Sequence, residues 1–222
     1  MISLISYRFL LRGPDHDEPA PVAAAPVDTG GQRRMLAYLV LLVLAVLSIA
    51  GAVVEDAGQS WATLYLRESL GAPAAIAGFG FIALVGGQFL GRVLGDRVVD
   101  RYGERRVARW GALLTAVGMG AALAFPTVPG TIAGFAAAGL GVATVVPAAF
   151  HAADQVKGLP PNTGLTVVTW LMRVGFLGAP PLVGAVADAV SLRMGLLIVP
   201  VAGVVILLAA GVLAPKANGP RR

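Results

Sequence analysis

Cysteine is absent from this chain. Disulfides, thiolate zinc sites and cysteine nucleophiles are therefore excluded, and the redox compartment leaves no mark on the sequence. Histidine is almost as scarce, since only His16 and His151 occur, and both are expected outside the apolar runs. Neither a Gly-x-Ser-x-Gly nor a His-Glu-x-x-His motif is present, so the sequence offers no hydrolase or metalloprotease constellation and the chain reads as no enzyme. Charge is thin too. Only 13% of residues are charged, against about 25% in ordinary soluble domains.

What fills the space is apolar. Hydrophobic residues make up 57% of the chain and the mean hydropathy is +0.79, which places the protein in a bilayer. The 29 glycines and 15 prolines do not argue against helices, because both residues are commoner in membrane helices than in soluble ones. A net charge of +5 could suggest nucleic acid. The basic residues, however, stand at the ends of apolar runs and not in a stripe interleaved with aromatics, so no nucleic-acid partner is expected and the lipid bilayer is.

Spans of about 20 apolar residues cross a membrane as helices. The sequence offers six, at about 35–54 (continuing to Leu66), 74–94, 108–125, 131–150, 163–187 and 194–213. The third stops at the uncharged turn Pro126–Gly130, the fourth is interrupted by Pro147, and 151–162 reads as an exit loop. The expected organisation is a linker-like segment over 1–34, a six-helix membrane domain over 35–213 and a polar tail over 214–222. In Met1–Leu11 an apolar patch precedes Arg8 and Arg12, the reverse of a signal peptide, so no cleavable signal is expected.

The most charged stretch, Gly91–Arg109, lies between the second and third runs and reads as a cytoplasmic loop. With an even number of spans both ends of the chain share one side. Assigning that side to the termini, Arg97, Arg101, Arg105, Arg106 and Arg109 of this stretch, Lys157 and the tail collects 13 of the 17 Lys and Arg residues. The positive-inside rule then makes both termini cytoplasmic in an inner membrane.

Within the stretch, Asp100-Arg101-Tyr102-Gly103-Glu104-Arg105-Arg106 resembles the Asp-Arg-x-Gly-x-Arg-Arg signature found between the second and third helices of each half of major facilitator superfamily transporters. One departure is visible: where the family usually has a leading glycine, this chain has Asp96, with Gly95 one step earlier. Glu55 to Leu66 is similar to a Glu-Gly-x-x-x-x-Trp-Ser-x-x-Tyr-Leu pattern of the seventh helix in the fucose-permease-like branch, with Asp56 in place of glycine. Gly175 to Gly184, with Pro180 and Pro181, looks like that branch's eleventh helix. The resemblance implies an all-α membrane protein corresponding to helices seven to twelve of a twelve-helix fold, a 3+3 inverted repeat, and a secondary transporter of a small-molecule substrate working by alternating access, or its C-terminal half. It also implies a missing six-helix half, or a homodimer mate in its place. A non-transporting membrane subunit or a truncated remnant is the alternative. In the family the loop acts as a latch, here carried by Arg92, Gly95, Asp96, Asp100, Arg101, Gly103, Arg105 and Arg106.

Ionisable residues within spans are costly and mark function by default. Glu55 and Gln59 are four apart on one helix face, with Ser48 and Gly51 below them, and Glu55 is the leading candidate for proton coupling or substrate binding. A solvated carboxylate near the outer interface is the competing reading. Arg173, in a stripe with Thr166, Thr169 and Trp170, is a candidate for an anionic substrate group or an ion pair; a direct bridge to Glu55 is doubtful because their depths differ. Asp56, Trp61 and Gln88 are secondary candidates. Arg92 and Asp96 are expected in the loop's charge network, and His151 with Asp154 is too sparse a pair for a metal, so neither a metal nor a cofactor is expected. Gly134, Gly139, Gly141, Gly175, Gly178 and Gly184 suit close helix packing, and Pro147, Pro180 and Pro181 suit kinks.

Overall fold

The computed structural model describes residues 31–157, 159–160 and 162–213, with Gln32 and Arg33 described as backbone only. The expected linker up to residue 30 and the tail over 214–222 lie outside the described residues. Among the described residues six helices are long and apolar enough to span a membrane. They are α1 (Gly31–Leu64, ended by the π turn Tyr65–Ser69), α2 (Ala74–Tyr102), α3 (Glu104–Ala124), α4 (Val128–Asp154), α5 (Thr163–Ala189) and α6 (Leu192–Val212).

The boundaries follow from local chemistry. Thr127 caps α4 by accepting from the Gly130 amide at 3.2 Å, with Pro129 in the first turn, where a missing N–H costs nothing. Ser191 caps α6 in the same way, accepting from Met194 N at 3.3 Å. The stretch expected to be a charged loop is helical almost throughout. Its turn is reduced to Gly103, at φ 86° and ψ 149°, a conformation that residues with a Cβ rarely adopt. Arg92, Gly95, Asp96, Asp100 and Arg101 therefore belong to the last turns of α2, and Arg105 and Arg106 to the first turn of α3.

Two further expectations are corrected. The helix of α4 breaks at Ala143–Thr144, and Pro147 lies in the first turn of the resumed segment Val145–Asp154, where proline is tolerated, and not within a helix that it interrupts. That segment carries His151 in its last turns, so His151 belongs to α4 and not to an exit loop. Pro180 and Pro181 stand inside α5, which continues through them.

The helices pack in a pattern with an internal exchange symmetry. α1 packs on α5 as α4 packs on α2; α3 packs on α4 as α6 packs on α1; and α3 packs on α6. Swapping α1, α2, α3 for α4, α5, α6 leaves the pattern unchanged. Because successive helices alternate in direction, the two triplets are inverted relative to one another, which is the 3+3 repeat. Small residues carry the close approaches: Gly87, Gly91 and Gly95 of α2 lie against α4, and Gly139 of α4 lies on the backbone of Leu84. Gly134 and Gly141 pack against α3, Gly175 against Ile49, and Gly184 against the Trp61 ring. Gly178 differs, because a side chain there would meet open space; it lies on an uncovered side of α5 and joins no interface of this unit.

Two arginines repeat the symmetry. Arg105, second residue of α3, donates from Nε to the Leu213 carbonyl at 2.9 Å, just beyond α6. Arg193, second residue of α6, donates from Nε to the Leu123 carbonyl at 2.8 Å and from a terminal nitrogen to the Ala124 carbonyl at 3.3 Å, at the end of α3. Each arginine satisfies carbonyls that helix ends leave unpaired and sets a cation at the negative end of the partner helix dipole.

Candidate functional site

Glu55 is placed by α1. Gly58, one turn on, meets the Leu84 side chain of α2, and Gly80 of α2 meets Leu66 and Ala62. This register sets Glu55 level with Gln88, the middle of α2. It thus lies about midway along α2 and well past the middle of α1. Its carboxylate is partnered on both oxygens. Gln59 Nε2 donates to Oε1 at 3.1 Å, and a terminal nitrogen of Arg92 stands 3.9 Å from Oε2. The Glu55 and Arg92 side chains are 30% and 56% exposed, so the pair is open to the space beside the bundle.

Arg92 is where the structure departs most from the sequence reading. Expected in the loop's charge network, it turns instead toward Glu55. It also lines a crevice of about 400 Å³ between the ends of α2 and α4, together with Asp96, Glu104, Thr144, Pro147 and His151. At the far end of this crevice His151 Nε2 lies 4.0 Å from Glu104 Oε1 and 2.8 Å from Gln155 Nε2. Sequence reasoning missed Glu104 and Gln155; the spacing of His151 and Gln155, four apart on one helix, was the available signal.

Arg173 does not join this group. Gly175 abuts Ile49 in the parallel helix α1, which puts Arg173 more than a turn below Glu55, and Glu55 is paired with Arg92. The buried residues of α5 are Gly164, Val168, Ala179 and Val183. Arg173 and Trp170, the latter 66% exposed, lie on the exposed side.

The secondary candidates are packed. Asp56 is only 6% exposed; its Oδ1 accepts from Ser60 Oγ at 3.3 Å, while Oδ2 has no partner. Trp61 lays its ring on Gly184 with Nε1 unpartnered, and Gln88 is buried one turn above Arg92. The remaining loop residues divide: Arg105 holds α6, Gly95 packs on Thr144, Asp100 and Arg106 are exposed, and Arg101 lies 5.5 Å from the Tyr102 ring. No group of three or more metal-ligating residues occurs among the described residues.

Six apolar helices arranged as an inverted pair of three-helix units define a multi-pass membrane protein. The chain belongs to the major facilitator superfamily, whose sequence profile matches residues 41–222. It is similar to the membrane protein MosC of Rhizobium meliloti, 35% identical over 170 residues, covering 77% of this chain and 42% of the relative. An MFS-type transporter of Yersinia pestis is 27% identical over 87% of this chain and 48% of its own length. A transporter of Sinorhizobium fredii is 25% identical over 78% of this chain and 46% of its own. The chain thus spans less than half the length of these relatives.

Proposed function

We propose that the chain is one six-helix half of a secondary active transporter, a carrier and not an enzyme, which moves a small solute by alternating access against a second six-helix unit. The observation that carries this is the Glu55–Arg92 pair with Gln59, charged groups midway along α2 on a face the bundle leaves open. Such groups are costly against lipid and stable beside water or another protein. Arg173, also on an uncovered face, supplies the chemistry for an anionic group on the solute. Glu55 is the coupling carboxylate: protonation releases Arg92, and deprotonation recaptures it. The second unit is of the kind that the relatives' extra length accommodates, or a second copy of this chain.

The orientation is with the Gly103 turn in the cytoplasm of an inner membrane. Its support is the basic cluster Arg97, Arg101, Arg105, Arg106 and Arg109 at that end. The contact of Arg105 with Leu213 brings the end of α6 to the same side.

Reconstitution into proteoliposomes, alone and with a six-helix partner, tests the proposal. Uptake is expected only with the partner, with Glu55→Gln abolishing gradient-driven accumulation and Arg173→Ala raising KM for an anionic solute. No uptake in either arrangement, together with full activity of both variants in a twelve-helix parent, would leave a non-transporting subunit as the better reading.

A further inference from the structure

His151 offers one ring nitrogen to two neighbours with opposite needs. Gln155 Nε2 lies 2.8 Å from His151 Nε2, and Glu104 Oε1 lies 4.0 Å from it. An amide N–H donates to a bare ring nitrogen, whereas a carboxylate accepts only from a protonated one. Histidine is the side chain that changes charge within the physiological range. One proton therefore selects between the two contacts.

The crevice connects this switch to the middle of the bundle. His151 and Glu104 stand at its mouth, and Arg92 lies at its inner end with a terminal nitrogen 3.9 Å from Glu55. Its volume of about 400 Å³ holds roughly a dozen waters at about 30 Å³ each. Asp96 and Glu104 line the crevice along its length and Glu55 stands beside Arg92 at its inner end, three carboxylates to one guanidinium, so the space attracts protons. The other packed elements add little. α1 has no carboxylate or basic side chain between Arg34 and Glu55, α5 contributes only the exposed Arg173 along that stretch, and α4 itself ends in Asp154 beside Gln155.

We propose that His151 is the proton-exchange group of this crevice, taking protons from the cytoplasm and passing them through crevice water to Glu55. The proposal rests on reading Glu55 as the coupling carboxylate. In the inward step the imidazolium Nε2–H gives its proton to a water at the mouth, each crevice water passes one on to the next, the innermost gives one to Glu55 Oε2, and the new acid O–H replaces the carboxylate's contact with Arg92. The neutral ring then accepts from Gln155. No electrons move, and the reverse sequence returns the proton to the cytoplasm.

The full chain in lipid nanodiscs, with His16→Asn leaving His151 as its one histidine, gives a direct test. Nitrogen NMR should show the neutral ring's Nε2 signal moved by Gln155→Leu and the imidazolium's Nε2 signal moved by Glu104→Gln. After a pH jump, the infrared carboxyl band assigned to Glu55 by its loss in Glu55→Gln should rise at least about tenfold more slowly in His151→Asn, with the same final amplitude. Gln155→Leu, which keeps the ring, serves as a second variant whose rate should also change. A Glu55 band whose rate ignores both changes overturns the relay and leaves the coupling role standing; no Glu55 band overturns both. Ring signals that ignore Glu104 and Gln155 would make His151 a solvated helix-end residue.

Discussion

Glu55 and Arg92 meet across two helices at a separation that is long for an ion pair, 3.9 Å, with both side chains reached by solvent. Such a pair contributes little to folding. A double-mutant cycle with Glu55→Gln and Arg92→Gln, read by unfolding in detergent, should give a coupling of about 0.5–1 kcal/mol. A value of several kcal/mol would mean a structural bridge unsuited to opening. The weakness fits the proposed task, since a contact that a proton or solute must break on each cycle cannot be a strong one. Glu55 and Gln59 were legible from the sequence because they are four apart on one helix. Arg92 was not, because nothing local says that an arginine late in α2 reaches back toward Glu55 of α1. His151 was placed in the exit loop because the apolar run ends at Phe150, whereas the helix continues to Asp154.

At the scale of elements, the two arginine contacts explain how α3 and α6 are held in register. Arg105 acts on the end of α6 and Arg193 on the end of α3, at opposite ends of the pair. Each substitution to alanine removes a charge-assisted hydrogen bond to a helix terminus and should cost about 1–2 kcal/mol. Since a helix of 21 residues separates the two sites by roughly 30 Å, the double variant should be additive within about 0.5 kcal/mol. Equilibrium unfolding of the three variants checks this. The existence and order of all six spans were readable from apolar run length alone. The ends were less so: the charged stretch looked like a loop because charge was taken as the mark of water, while α2 carries its helix on past the apolar run until Gly103.

For the whole molecule, the six-helix half and its inverted repeat came from the resemblance of the Asp100–Arg106 motif, and the packing pattern bears them out independently. Solute and partner were not legible, because a site on an open face is only part of one. The exchange symmetry has a consequence for the covalent chain itself. If each triplet grips the other at both membrane surfaces, the exposed link Phe125–Thr127 between α3 and α4 serves mainly to deliver the second triplet in the right stoichiometry. Two separately expressed pieces, cut within that link, should find each other in the bilayer and co-purify, and Arg105→Ala with Arg193→Ala should weaken their recovery far more than either change weakens the uncut chain. Such a bundle behaves as two interlocking parts that a peptide bond merely keeps together.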